Sequence, residues 1–277
     1  GKCLGYMIYK GTDAPVQLAV DRHIHTKLCC HASGEMEEYV LAAISQNLDG
    51  IVFLEHMEEG ICCAEKTWLA EEDFDCYFRE GKRLQEKYKG QLSIGLGVEC
   101  GYNPDCSQTL ISRLGKRDWD EIGISCHFIK PAGSSEHLNL FSRKEHNLEK
   151  IKEFDPDLLL DIYFDTLLEA VTDLPGTKLC HLDGALRFLP GIRLSERHLD
   201  KVQRVLLSVK KRAMALEINS SGIPIRGEQF PTRIILEMAI SKKVPLVFGS
   251  DAHRPEEVGR HYARLKEEVA ALSSNLG

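Results

Sequence analysis

The sequence predicts an α/β fold built on a parallel sheet, and three observations predict it. Seven short apolar segments alternate with longer stretches of helical periodicity, the signature of successive strand–helix–strand units. Ionisable residues collect at the C-terminal end of those apolar segments. No Ser/Gly/Pro-rich linker, low-complexity tract or shift of composition divides the 277 residues. A single domain over 1–277 is therefore expected, a length that α/β barrels reach as one unit.

The first strand is read at 18–26 (LAVDRHIHT), after an N-terminal extension over 1–17. Ser33 is the expected N-cap of a helix in which Met36, Val40, Ala43, Ile44 and Leu48 share one face. The second strand, 50–56 (GIVFLEH), leads through a cysteine-bearing loop, 58–70, into a helix over 71–88. The third, 92–100 (LSIGLGVEC), precedes the fourth, 120–129 (DEIGISCHFI). A loop at 130–143 and helices over 144–154 and 156–173 come next. The fifth strand is 177–183 (TKLCHLD), the sixth 214–219 (MALEIN) and the seventh 244–251 (VPLVFGSD). Helices over 195–212, 232–242 and 255–272 follow them in turn. Each strand segment is rich in Val, Ile, Leu or Phe and too short for a buried helix.

Charge and composition exclude several classes. Lys and Arg number 35 against 42 Asp and Glu, a net charge of −7, which lacks the basic footprint of a general nucleic-acid binder. The basic runs near 208–213 and 242–243 read as exposed helix ends, where the helix dipole favours cations. No apolar run approaches the ~18 residues of a membrane span, and the first residues lack the apolar core of a secretory signal. A cytoplasmic protein is expected. The ten cysteines fall well below the ~8–10% of a disulfide scaffold. Cys29–Cys30 and Cys62–Cys63 are adjacent rather than spaced as CxxC. Most are expected to be buried, reduced thiols acting as small hydrophobes.

Six of the eleven histidines lie on or just after strand ends: His23, His25, His56, His127, His181 and His253. Glu99, Asn219 and Asp251 are placed in the same way. In barrels of alternating strands and helices, that end is where active sites are built. His23 and His25, at i and i+2 of a strand, point to one side and could grip one metal ion; simple hydrogen bonding is the alternative. Imidazoles with carboxylates and no thiolate cluster suit Zn, Fe or Mn. His31, six residues beyond His25, could reach a further ion. Glu99 closes an apolar strand, where an unpaired carboxylate is costly to bury; a position between two cations or a salt bridge would relieve that cost. In GSDAH, from residue 249, Gly249 permits unusual backbone or close approach. Asp251 there could be a ligand, a proton acceptor, or both.

In order, DRHIHT…H, EH, GVE, SCH, HLD and GSDAH resemble the PHP (polymerase and histidinol phosphatase) superfamily. The closer likeness is to its histidinol-phosphate phosphatase branch. It rests on HASGEMEEYVLAA from residue 31, ISCHFI from 124, HLDGALRF from 181, LEINSSGI from 216 and GSDAH from 249, and spans about 18–262. The resemblance implies a distorted (β/α)7 barrel and up to three divalent ions. It assigns His23, His25, Glu99 and Asp251 to the first ion, and Glu99, His127 and His181 to the second. His31, His56 and His253 would hold the third. The implied activity is that of a metal-dependent phosphomonoesterase hydrolysing L-histidinol phosphate in histidine biosynthesis. A metal-bridging hydroxide would attack phosphorus, with Asp251, Glu99 and His253 as the catalytic set. The partner is then a small phosphorylated substrate, with no nucleic acid or membrane.

Arg187 and Arg226 match arginines that bind substrate phosphate in the family, and Arg254 is a further candidate; arginine is shaped for bidentate phosphate binding. His146 and His198 are expected to be solvated, while His137 could line the site as part of a lid. Three alternatives keep the same ligands. They are a PHP phosphoesterase for another small phosphate ester or nucleotide, a two-metal amidohydrolase, and a metal-binding module without catalysis. The absence of interleaved basic and aromatic residues speaks against single-strand nucleic-acid trimming.

Overall fold

Parallel pairing requires long crossovers, and the helical stretches between the apolar segments supply them. In the computed structural model, which describes residues 19–276, the expected extension over 1–17 lies outside the described residues. The strands are β1 (Val20–Ile24), β2 (Gly50–Met57), β3 (Ser93–Gly101), β4 (Ile122–Ser125), β5 (Phe128–Ile129), β6 (Leu138–Asn139), β7 (Lys178–Leu179), β8 (Ala215–Asn219) and β9 (Leu246–Gly249). Seven of them form one parallel sheet in the order β1-β2-β3-β4-β7-β8-β9. The edges meet where Ile24 bridges Ala252: the His25 N–H donates to Ala252 O at 2.9 Å, and the Ala252 N–H donates to His23 O at 3.2 Å. The result is a nearly closed seven-stranded α/β barrel. No described helix is long and apolar enough to cross a membrane.

All seven expected strands contribute to the sheet, with three local corrections. The fourth strand ends at Ser125, and Phe128–Ile129 turns away to pair antiparallel with Leu138–Asn139. Apolar residues resume at Phe128–Ile129 directly after His127, so composition conceals the bend. The first helix, Met36–Ser45, starts at Glu35, whose N–H donates to Glu38 Oε2 at 2.5 Å. Ser33 does not cap it; the Ser33 N–H instead donates to His253 O at 2.9 Å. A further helix, Ser107–Leu114, fills the β3–β4 crossover.

Most of the apolar core lies between sheet and helices. Inside the barrel, Val20, Val52, Leu54 and Cys180 form a small apolar cluster, accompanied by buried charge. Lys178 Nζ lies 2.9 Å from Glu121 Oε2 and 3.9 Å from Glu217 Oε2, and it also donates to the Arg22 carbonyl. Arg22 pairs with Glu121. Two solvation expectations fail. His198 is buried, accepting the Ser195 N–H at 3.2 Å, because it lies on the inner face of its helix. Of the nine described cysteines, all free, only Cys29, Cys100, Cys126 and Cys180 are buried.

Candidate metal centre

Strand ends deliver the ionisable side chains to one mouth of the barrel. His23 and His25 project together from the end of β1, with their Nε2 atoms 3.0 Å apart. The β2–β3 register sets His56 opposite Glu99. His127, His181 and Asp251 follow β4, β7 and β9. Close packing makes Gly249 necessary, since a Cβ would lie 2.6 Å from both Glu217 Oε2 and the His23 Cβ. Asp251 takes left-handed backbone, φ +58°, which Asp tolerates better than most residues. Its Oδ1 comes within 3.0 Å of His25 Nε2 and 3.4 Å of His23 Nε2.

Glu99 occupies the centre of the cluster, fully buried. Its Oε1 is 3.2 Å from His56 Nδ1, 3.3 Å from His23 Nε2 and 3.5 Å from His25 Nε2. Its Oε2 is 2.9 Å from His181 Nε2 and 3.1 Å from His127 Nε2, and accepts the Ser125 hydroxyl at 2.6 Å. Each carboxylate oxygen thus faces its own set of imidazoles. At the outer corner, His31 Nε2 and His253 Nε2 stand 2.9 Å apart, and the His31 and His56 rings lie 5.2 Å apart. The structure brings all nine sequence-derived positions together.

Hydrogen bonding within the protein does not satisfy this set. His31 donates its Nδ1 proton to Cys29 O at 2.9 Å and His253 donates its own to Asp251 O at 2.8 Å, leaving two lone pairs face to face. Burial lowers both imidazoles from their ordinary range, His253 well below it. His25 Nδ1, His56 Nε2 and His181 Nδ1 are buried without a hydrogen-bond partner. Several groups of these donors have their ligand atoms within 4.8 Å of one another. A cation between His31 and His253, and others beside Glu99, would relieve the facing lone pairs and the crowded charge, and the imidazole–carboxylate donors suit Zn, Fe or Mn.

Charge balance leads to the same conclusion. Burial opposes protonation of His25, yet Asp251 and Glu55 push it up to about 9. Burial likewise opposes protonation of His127, but Glu99 and Glu58 push it up to about 10. Burial favours protonated Glu99 and Asp251, but the imidazoles around them hold both carboxyls well below the usual range.

A layer of carboxylates behind the imidazoles escaped the sequence reading. Glu217 Oε2 lies 2.6 Å from His23 Nδ1, and Glu58 Oε1 lies 2.7 Å from His127 Nδ1. Such partners fix the tautomer and orientation of a ligating histidine. Glu217 lies within an apolar strand, so the burial-cost argument used for Glu99 could have found it. Glu58 left no such signal. Its carboxylate occupies the space above Gly101, where a Cβ would lie 2.0 Å from both oxygens.

A cavity of about 900 Å³ opens over the cluster, with Arg187, Arg143, Arg254 and Arg260 in its wall. Arg187 makes one long hydrogen bond, 3.4 Å to Ser221 Oγ, lies 5.7 Å from the Phe188 ring centroid, and leaves its Nε without a hydrogen-bond partner. Arg226 is absent from that wall. Its guanidinium donates to Leu186 O at 2.5 Å, bracing the turn Gly184–Phe188 that carries Arg187. Arg260, missed in sequence, donates to Ser250 O at 3.0 and 3.2 Å. Arg254 sits at the rim, paired with Glu257 at 3.0 Å. His137 does not line the large cavity; it exchanges backbone and ring bonds with Cys62 at 2.8 and 3.1 Å, tying the β5–β6 hairpin to the cysteine-bearing loop. His146 is exposed.

The family model described as PHP domain matches residues 21–221. The chain belongs to the PHP family. A second model, PHP-associated, matches residues 233–274 of this PHP protein and includes β9, which completes the barrel. The "Probable histidinol-phosphatase" of Deinococcus radiodurans is 29% identical over 262 residues, covering 90% of this chain and 92% of the relative. The "Histidinol-phosphatase" of Bacillus subtilis is 26% identical over 265 residues, covering 89% and 98%. Among solved structures, the histidinol phosphate phosphatase of Lactococcus lactis, complexed with Zn, L-histidinol and phosphate, superposes with a TM-score of 0.72. That likeness covers 94% of each chain at 17% identity, and extends to the PHP barrel as a fold.

Proposed function

We propose that this PHP protein is a metal-dependent phosphomonoesterase acting on L-histidinol phosphate, releasing L-histidinol and phosphate as a single-domain cytoplasmic enzyme of histidine biosynthesis. The observation that carries this reading is the convergence of nine metal-binding side chains beneath a cavity walled by a weakly partnered arginine. The names of the relatives supply the substrate.

His23, His25, Glu99 and Asp251 would hold one ion, Glu99 with His127 and His181 a second, and His31, His56 and His253 a third. Ions bound there supply Lewis acidity, making water acidic enough to attack near neutral pH and neutralising phosphoryl oxygens. Arg187 offers its planar donors to the phosphate, and Arg226 positions it through the Leu186 carbonyl. Asp251, whose Oδ2 accepts the Asn219 amide at 3.3 Å, would supply the acid that protonates the departing alkoxide. Phe141 packs against His127 and His181, with centroids 5.0 and 4.7 Å apart, and excludes water from that flank.

The test is phosphate release from L-histidinol phosphate by protein refilled with Mn or Zn, beside sugar phosphates, nucleotides and a short oligonucleotide. Chelator-sensitive turnover selective for histidinol phosphate supports the proposal. Preference for another ester moves the substrate, and no turnover by metal-loaded protein rejects the activity.

A further inference from the structure

One donor at the outer corner of the mouth is neither imidazole nor carboxylate. Cys29 ends the short 3-10 turn Lys27–Cys29, and Cys30 follows in left-handed backbone, φ +66°. The chain doubles back there, and His31 folds over Cys29, its Nδ1 donating to Cys29 O at 2.9 Å. The side chain is fully buried. Its Sγ lies within 4.8 Å of ligand atoms from His25, His56 and His253. Among those imidazoles, His56 Nε2 is buried without a hydrogen-bond partner, and His25 Nδ1 has only Glu55 Oε2 at 3.6 Å. An ordinary core cysteine acts as a small hydrophobe; this one borders the apolar core on one side and faces three imidazoles on the other.

We propose that Cys29 is a sulfur ligand to the ion held by His56 and His253, an inference that rests on reading the mouth as a metal centre. On binding, the Sγ–H proton leaves to solvent, one metal–sulfur bond forms, and no electron is transferred. Thiolate ligation makes this position more thiophilic than its oxygen- and nitrogen-lined neighbours, favouring zinc or cobalt over manganese. The assignment does not extend to Cys180. That thiol lies near His23 and Glu99, but every nitrogen and carboxylate oxygen of those two residues already has a partner within the cluster.

The experiment uses the whole protein, stripped of metal and refilled with Co(II). Wild type and Cys180→Ser are expected to show a near-ultraviolet sulfur-to-cobalt charge-transfer band. Cys29→Ser is expected to lose that band and bind one cobalt fewer per chain, with unchanged far-ultraviolet circular dichroism. No band in wild type, or a band that survives in Cys29→Ser, overturns the proposal. Should Cys29→Ser not fold, cadmium-113 NMR of wild type decides: a downfield thiolate-bound resonance supports Cys29, and resonances of nitrogen and oxygen ligation alone refute it. Histidinol phosphate turnover is measured in parallel. Turnover without the band overturns only the sulfur ligand, while the band without turnover overturns only the proposed substrate.

Discussion

His31 and His253 meet nitrogen to nitrogen at 2.9 Å, each having already given its Nδ1 proton to a backbone carbonyl. The Ser33 N–H, bonded to His253 O at 2.9 Å, fastens the first loop to the last turn and keeps the rings in place. The backbone, rather than any attraction between the rings, holds the two lone pairs together. A built-in repulsion of this kind is relieved by a cation.

Metal loading should change how stability depends on pH. In metal-free protein, His25 and His127 keep protons up to about 9 and about 10, against 6.5 for an ordinary imidazole. Stability from these raised groups is fully present below the ordinary value and is lost as pH rises through the folded values. Metal binding has the opposite trend, since cations displace those protons. Calorimetry at constant ionic strength is expected to show the Tm gap between loaded and chelated protein widening from pH 6.5 to 9. A constant or narrowing gap would contradict this.

Glu99→Gln removes the charge shared by the imidazole sets. Outer partners of metal ligands are worth about 10–100-fold, so a central carboxylate is expected to cost at least ~100-fold in turnover. Bound metal, measured by elemental analysis, should fall while circular dichroism stays unchanged.

Glu217→Gln leaves every proposed ligand in place and removes the carboxylate charge behind His23 Nδ1, while a side-chain oxygen remains for the His181 N–H and the Asn219 amide. Metal affinity, measured by competition with a chromophoric chelator, is expected to drop about 10–100-fold. Wild-type affinity would mean that Glu217 does not support His23 as a ligand.

Arg187→Ala and Arg226→Ala separate contact from bracing. Losing a charged hydrogen bond of about 1.5–3 kcal/mol should raise KM about ten- to a hundred-fold for Arg187→Ala. Arg226→Ala is expected to produce a smaller rise, accompanied by faster amide exchange across 184–188. Equal effects on KM with no change in exchange would place both guanidinium groups on the phosphate.

Lys178→Met leaves Glu121 with Arg22 alone and takes the lysine from beside Glu217. Breaking a buried pair typically costs about 3–5 kcal/mol, and urea unfolding of the metal-free variant should show a loss at the lower end of that range.

The strands were legible because a sheet covered by helices needs apolar side chains through its length, so each run is conspicuous and the ionisable residue ending it more so. His23, Glu99 and Asp251 stood out for that reason. The bend after Ser125 did not, because Cys126, Phe128 and Ile129 continue the apolar run while the backbone changes partner. Glu58 and Arg226 depend on side-chain direction: one turns inward from the end of β2, and the other turns from the cavity to a carbonyl. His198 looked solvated among charged neighbours, yet helical geometry points it at the core.

The single bridge from Ile24 to Ala252 also carries a consequence for biosynthesis. His23 and His25 leave the ribosome more than two hundred residues ahead of Asp251, and until that aspartate arrives their shared position is only half walled. Ion capture there would mark the moment when the last strand finds the first. Chains stalled before that point would lack the first ion and stay open along one seam, a state that proteases can recognise.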